Sequence, residues 1–335
     1  MQIIIPMSGF GERFRKKGYR MPKPMINVAG KEMIKHVVEL FPGEKDFIFI
    51  CNKNHLKKFP IEETLKKLMP SSKIISIESH KKGPVYAVLK AKKYIDLSKP
   101  SLINYCDFSM IWDWKFFKNY IEKNKLDGCI PAYKDFHPHS FGKTNYAYLK
   151  CKGKKVLKIQ EKKPFTEDKI KEYASTGTYY FKDSENMIKI FEKCINEDIS
   201  TNGEFYCSLP FNYLVEQKKK VEVFNIKYFF QWGTPEDLLD FESSYKSINA
   251  YKTNNNNFNK RKTPRNQTIL MPMAGKGERF KKEGFETPKP LLKINTSEMF
   301  SESLKSWPVS KKSKKIIALN KKVSKLLDKK KYKNI

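Results

Sequence analysis

Residues 2–14 read QIIIPMSGFGERF, and residues 22–26 read PKPMI. An apolar run passes straight into a loop with two glycines and an arginine, and a lysine follows between two prolines. The run is a strand candidate, because four to eight apolar residues bounded by a turn signal suit a buried strand. Gly9 and Gly11 let backbone amides approach a polyphosphate closely. Arg13 adds a forked cation for phosphate oxygens, and Lys23 a point charge on a stiffened segment. Amide-lined loops with placed cations suit phosphoryl chemistry, where catalysis is mostly positioning and charge neutralisation.

Two better-known phosphate motifs fail here. Phe14 stands where a G-x-G-x-x-G loop needs its third glycine. Gly142-Lys143-Thr144 has the tail of a P-loop, but His137 occupies the leading glycine position.

Working outward, QIIIPM, FIFIC, KIISI and SLINYC alternate with helical patterns such as KEMIKHVVELF, a lysine-rich helix through Leu68, and VYAVLKAKKYI. Such alternation argues a parallel sheet with crossover helices. From about Asp127, GCIPAY, NYAYLKC, KVLKIQEK and TGTYYF are strand-like with short connections, which extends the sheet in mixed fashion. Helical patterns return at Ser184–Cys194 and Phe205–Gln217, followed by the strand KVEVFNI. In WGTPEDLLDF, Thr234 reads as an N-cap and Pro235 as the first helical residue, with acids in the first turn.

MAGKGERF at 273–280 repeats the loop. Residues 3–34 and 269–300 align without a gap, and roughly half the positions are identical, which reads as an internal duplication. The polar, Asn- and Lys-rich stretch before it is a linker candidate. The expected organisation is therefore 1–250 as the main domain, 251–267 as linker, and 268–335 as a truncated second copy.

The chain has 335 residues and a formal charge of +31. Its lysines are spread along the whole length, which reads as solvated surface rather than a nucleic-acid footprint. Six scattered cysteines form no CxxC pair, which argues against a disulfide framework or structural zinc and for a reducing cytoplasm. No apolar run approaches the ~20 residues of a spanning helix. Asp107 follows the apolar run SLINYC and is expected at the carboxyl end of a central strand, where ligands of open α/β sheets bind. A carboxylate there can hold Mg²⁺ against triphosphate oxygens.

PMSGFGERF…MPKPMINVAGKEMI resembles the signature region of the sugar-phosphate nucleotidylyltransferases, the NDP-sugar pyrophosphorylases. HKKGPVYAVL, NYCDF, HSFGKTNYAYL, IQEKKPF, STGTYYF, NGEFYCS and WGTPEDL resemble further motifs of that family in order, over residues 1–245. The resemblance implies a Rossmann-like (GT-A-type), mixed and mostly parallel sheet flanked by helices. It implies a nucleotide site at Ser8, Gly9, Gly11 and Gly83, and catalytic cations at Arg13, Lys23 and Lys162. It gives the acceptor phosphate to Lys162, sugar hydroxyls to Glu161, and backbone approach to Gly142 and Gly177. Asp107 is its metal ligand, with Mg²⁺ as cofactor.

The implied reaction joins an NTP and a phosphorylated acceptor, most simply a sugar 1-phosphate, releasing pyrophosphate, for surface polysaccharide synthesis. A non-sugar acceptor such as phosphocholine, or a non-catalytic nucleotide-binding regulator, are the alternatives. A homo-oligomer stays open. Two departures stand out: Gln231 lies where many members place a second metal aspartate, and Glu12 lies where the loop often has Thr or Ser. A carboxylate at 12 is tolerable beside phosphates only if it turns outward or pairs with a lysine.

Overall fold

The computed structural model describes residues 1–135, 137, 146–258, 268–294, 297–305 and 314–327. They divide into two compact units, Met1–Ser244 and Tyr245–Ile335. In the first unit, β1 (Gln2–Met7) leads through α1 (Glu12–Lys16), the short pair β2 (Asn27–Val28) and β3 (Lys31–Glu32), and α2 (Met33–Val38) to β4 (Phe47–Asn52). The lysine-rich helical pattern is two helices, α3 (Lys53–Lys58) and α4 (Ile61–Leu68). Pro60 separates them, since proline interrupts the backbone hydrogen-bond ladder. After β5 (Lys73–Ile77), α5 (Gly83–Lys90) crosses to β6 (Ser101–Asn104). These four strands pair in parallel, in the order β6-β1-β4-β5.

The sheet continues past β6 with β12 (Thr178–Phe181), β8 (Gly128–Tyr133), β13 (Val221–Asn225), β10 (Lys155–Glu161), β9 (Ala147–Lys152) and β11 (Tyr173–Ser175), ten strands in all. Here β13 is parallel to β8 and the other pairings are antiparallel, so the sheet is mixed. Strand side chains alternate between faces. Ile4 therefore joins the core on one face with Val85 and Val88 of α5, while Ile3 and Ile5 join the opposite core with Ile34 and Val37 of α2. Both faces of the parallel part are covered, which is why β4 reads FIFICN and is buried throughout.

A separate two-stranded ladder pairs β7 (Phe108–Ile111) with β14 (Tyr228–Gln231), and brings the end of the unit back beside Asp107. Three helices complete the unit: α6 (Trp114–Lys123), α7 (Ser184–Asn196) and α8 (Phe211–Glu216). Helix α8 is shorter than the Phe205–Gln217 pattern: residues 205–210 form turns whose backbone groups bond elsewhere, Phe205 N–H to Lys82 O at 3.0 Å.

Helix α9 (Pro235–Phe258) begins as expected, with Thr234 and Asp237 exchanging bonds: Asp237 N–H to Thr234 Oγ1 at 3.1 Å, and Thr234 N–H to Asp237 Oδ2 at 3.0 Å. It runs on to Phe258, so the first part of the expected 251–267 linker is helical. In the second unit, β15 (Thr268–Met273) pairs in parallel with β18 (Lys314–Leu319). Between them lie α10 (Glu278–Lys282), β16 (Lys293–Ile294), β17 (Ser297–Glu298) and α11 (Met299–Lys305), and α12 (Lys321–Leu326) follows. Met273, Phe300 and Leu304 form its small core. No helix among the described residues is long and apolar enough to cross a membrane.

Candidate active site

The glycine loop leaves the carboxyl end of β1. Gly11 takes a left-handed conformation (φ 63°, ψ 35°) that a side chain disfavours, and turns the chain into α1. Gly9 faces open space, with nothing within 4 Å of where a Cβ would stand. Arg13 is exposed, whereas Phe14 is buried and forms a floor on which the Lys23 ammonium rests, 5.4 Å from the ring centroid. Lys23 opens a single 3₁₀ turn between Pro22 and Pro24. Its Nζ donates to Asp107 Oδ2 at 2.6 Å and to the Gly233 carbonyl at 3.0 Å. Three segments distant in sequence therefore meet at one ammonium. Asp107 sits just past β6, at the carboxyl ends of the parallel strands. Glu12 pairs with Lys81 at 2.7 Å, which meets the condition the sequence set for a carboxylate in this loop.

The second group of charges stands at the end of β10. Successive strand residues point to opposite faces, so Glu161 and Lys162 should diverge. They do not, because Lys162 leaves the strand in the left-handed region, φ 58°. Both side chains then reach the segment 204–208. Ser208 Oγ donates to Glu161 Oε2 at 2.6 Å, and Lys162 Nζ donates to the Tyr206 hydroxyl at 2.6 Å. Tyr206 in turn donates to Glu204, whose carboxylate lies 3.9 Å from Lys162 Nζ. Burial pushes the Glu161 carboxyl up to about 7; the Ser208 bond and the Lys162 charge act against that rise, and Glu204 adds to it.

Tyr146 joins the two groups. Its carbonyl accepts from Lys162 N–H at 2.9 Å, and its hydroxyl donates to Gln231 Oε1. Gln231 Nε2 donates to Asp237 Oδ1 at 2.7 Å. Burial, Asp237 and Asp107 raise the Tyr146 hydroxyl pKa, while Arg13 lowers it. Burial and then Glu204 raise the Tyr206 hydroxyl pKa, and Arg13 lowers it.

Two other glycines expected at the site stand where the fold is tightly packed. At Gly83 (φ +80°) a Cβ would lie 2.7 Å from Phe205 N and 2.8 Å from Phe205 O, so a side chain there would run into backbone. At Gly177 (φ +97°) a Cβ would meet the rings of Tyr105 and Phe108 at 3.0 and 3.1 Å. Gly142 lies outside the described residues. Sequence reasoning named neither Tyr206 nor Ser208, although both lie in NGEFYCS. It also missed Tyr146 and Asp237, whose only signal was their place beside recognised motifs.

The family model described as Nucleotidyl transferase matches residues 2–248, and the chain belongs to that family. It is similar to the bifunctional protein GlmU of Methanocaldococcus jannaschii, with 27% identity over 241 residues, covering 72% of this chain and 53% of that protein. The chain thus spans about half the length of the curated relatives it matches. In fold it is similar to a nucleoside-diphosphate-sugar pyrophosphorylase from Vibrio cholerae, with TM-score 0.59 and 21% identity, covering 72% of this chain and 100% of that one. It also resembles the inositol-1-phosphate CTP transferase from T. maritima, with TM-score 0.55 and 15% identity, covering 72% and 94%.

Proposed function

We propose that residues 1–250 transfer a nucleotidyl group from an NTP to a phosphorylated acceptor, a sugar 1-phosphate, giving an NDP-sugar and pyrophosphate. The observation that carries this reading is the pairing of two cationic centres in one unit: Lys23 on Asp107 beside the glycine loop, and Lys162 beside Glu161 at the acceptor end. An acceptor phosphate is already anionic near neutral pH, so no base is required. Its oxygen attacks the α-phosphorus in line, the α–β phosphoanhydride bond breaks, and pyrophosphate leaves with the bonding electron pair. Arg13 and the loop amides stabilise the leaving charge. Lys23 and Lys162 hold the two anions together against their repulsion.

Magnesium fits one position. Mg²⁺ is usually held by one or two carboxylates together with substrate phosphates, and Asp107 offers such a carboxylate. At the second family position Gln231 offers only an amide oxygen, a poorer Mg²⁺ ligand than a carboxylate, and it accepts from Tyr146, so the reading assigns the metal to Asp107. Bound at Asp107, Mg²⁺ would supply charge neutralisation on the triphosphate.

The second unit reads as a partial repeat of the first. Supporting this, Gly277 takes φ 64°, ψ 33°, and Lys289 Nζ sits 5.2 Å over the Phe280 ring, matching Gly11 and Lys23 on Phe14. We keep the reducing cytoplasm as the expected compartment, on the scattered cysteines of the sequence. The test is pyrophosphate release with Mg²⁺, screening ATP, CTP, GTP, UTP and dTTP against sugar 1-phosphates and phosphocholine. Turnover with a sugar 1-phosphate supports the reading, turnover with phosphocholine alone replaces the acceptor, and nucleotide binding with no turnover overturns it.

A further inference from the structure

Ser8 follows the first strand directly and carries a hydroxyl against His80, with Oγ and Nε2 3.2 Å apart. The direction of this bond follows from the other ring nitrogen. Lys82 backbone N–H points at His80 Nδ1 across 3.2 Å, so Nδ1 is an acceptor and carries no proton. The proton of the neutral ring is then on Nε2, and Nε2–H donates to Ser8 Oγ. Having accepted there, the hydroxyl directs its own hydrogen elsewhere. The Ser8 carbonyl is also fixed: Asn52 Nδ2 donates to it at 3.1 Å, and Asn52 Oδ1 accepts from Asn54 N–H at 2.9 Å and from Ser79 Oγ at 3.1 Å. Ser8 is thus clamped between β4 and the segment that carries His80. The next residue, Gly9, presents the open side of the loop.

We propose that His80 is a positioning residue for the nucleotide, holding the Ser8 hydroxyl as a hydrogen-bond donor to a nucleotide that lies against Gly9. The inference rests on the nucleotidyltransferase reading and assigns a contact within it. It also separates the two loops of the chain. At the matching place the second loop has Ala274, whose carbonyl accepts from Asn320 Nδ2 at 3.2 Å. The backbone arrangement is kept there without a hydroxyl, so Ser8→Ala removes the donor and leaves the loop intact. Burial, Lys82 and Lys90 lower the His80 pKa and keep the ring neutral near pH 7. Around it stand Ser8 from the glycine loop, Lys81 (paired with Glu12) and Lys82 from its own segment, and Tyr86 and Lys90 from α5, the Tyr86 ring 4.8 Å away.

The experiment is calorimetric titration of the full chain with Mg²⁺ and each of ATP, CTP, GTP, UTP and dTTP, without acceptor, for wild type, Ser8→Ala, His80→Ala and the double variant. The nucleotide that binds wild type is expected to bind each single variant about 5–10-fold more weakly, the scale of one hydrogen bond. The double variant should be no weaker than either single one, because both changes remove the same contact. His80→Gln, whose amide keeps a donor near the Nε2 position, should recover most of the loss, and acceptor KM should stay unchanged in all of them. Unchanged affinity in the single variants, or additive losses in the double, overturns the proposal while leaving the nucleotidyltransferase reading in place. Failure of wild type to bind any of the five nucleotides overturns that reading itself.

Discussion

Lys23 Nζ lies 2.6 Å from Asp107 Oδ2, across a sequence gap of 84 residues, and the same ammonium reaches the Gly233 carbonyl at 3.0 Å. Each member of the pair is partly exposed, with side-chain exposures of 17% and 26%. A pair so placed contributes little to stability, about 1 kcal/mol or less. Its value lies in holding a cation and a carboxylate where the glycine loop meets the strand ends. Lys23→Ala and Asp107→Asn should therefore each lower kcat about 100-fold or more while the melting temperature moves little. Pyrophosphate release and a thermal melt check this. Activity within about threefold of wild type in either variant removes the pair from the mechanism.

The Glu161 carboxyl, raised to about 7 by burial, makes stability depend on pH. Its unfolded value is near the ordinary carboxylate range, so between about 4.3 and 7 the folded state binds more protons than the unfolded chain. Stability from this group is greatest below that window and falls as pH rises through it. Glu161→Gln, which never ionises, should raise the melting temperature at pH 8 and change it little at pH 4.5. An equal shift at both pH values contradicts the assignment. In the role the family resemblance gives Glu161, accepting hydroxyl hydrogens from the acceptor, the sign is opposite, and acceptor KM should fall as pH rises through about 7. That limb should be missing in the variant.

Gly83 and Gly9 separate stability from binding. At Gly83 an added Cβ meets Phe205 backbone atoms at 2.7 and 2.8 Å, in a left-handed conformation. Strain and overpacking together amount to about 2–4 kcal/mol. Gly83→Ala should lower the melting temperature by about 5–15 °C. Gly9 has open space around it, so Gly9→Ala should melt like wild type and bind nucleotide more weakly. A melting curve for Gly83→Ala that overlays wild type means that the Phe205 contact is not needed for the fold.

The parallel half of the sheet was legible because its strands are buried on both faces and read as unbroken apolar runs. Lys23 and Asp107 were legible for a related reason: one follows a loop signature, the other an apolar run. Glu161 and Lys162 were only half legible. Alternation places them on opposite faces, and nothing about a lysine announces φ 58°. The turn at 205–210 was hidden by an apolar pattern that suits a helix, while its backbone bonds go to Lys82 and to α5, contacts more than 100 residues away. Gly83 illustrates the general limit. Sequence shows that a side chain is missing, and only the fold shows what fills the space.

The repeated loop allows a direct comparison of two arginines. Arg13 shares its unit with Asp107, Glu161 and Lys162. Arg279 is accompanied by Lys289 within residues 245–335, which hold no match for those three. Arg13→Ala should cost about 100-fold in kcat, and Arg279→Ala less than threefold. Equal losses in a pyrophosphate-release assay mean that both loops take part in turnover.

Gln231 tests whether position 231 ligates metal at all. Its Oε1 accepts from the Tyr146 hydroxyl and its Nε2 donates to Asp237 Oδ1 at 2.7 Å, so the amide bridges Tyr146 and the start of α9. A residue with both polar ends engaged acts by holding its neighbours. Gln231→Ala should lower kcat about 10-fold, since Tyr146 loses the partner that orients it, but leave the Mg²⁺ concentration for half-maximal activity unchanged. Loss of a true ligand has the opposite signature, a large rise in that concentration, as Asp107→Asn should show. Gln231→Asp provides the sharper contrast. It places a second carboxylate against Asp237, and like charges at that distance disfavour joint ionisation. The variant should melt lower than wild type at pH 8 and regain stability as pH falls and one carboxyl takes up a proton. If Gln231→Asp instead melts like wild type and needs less Mg²⁺, position 231 does face the metal, and the bridge to Asp237 is incidental.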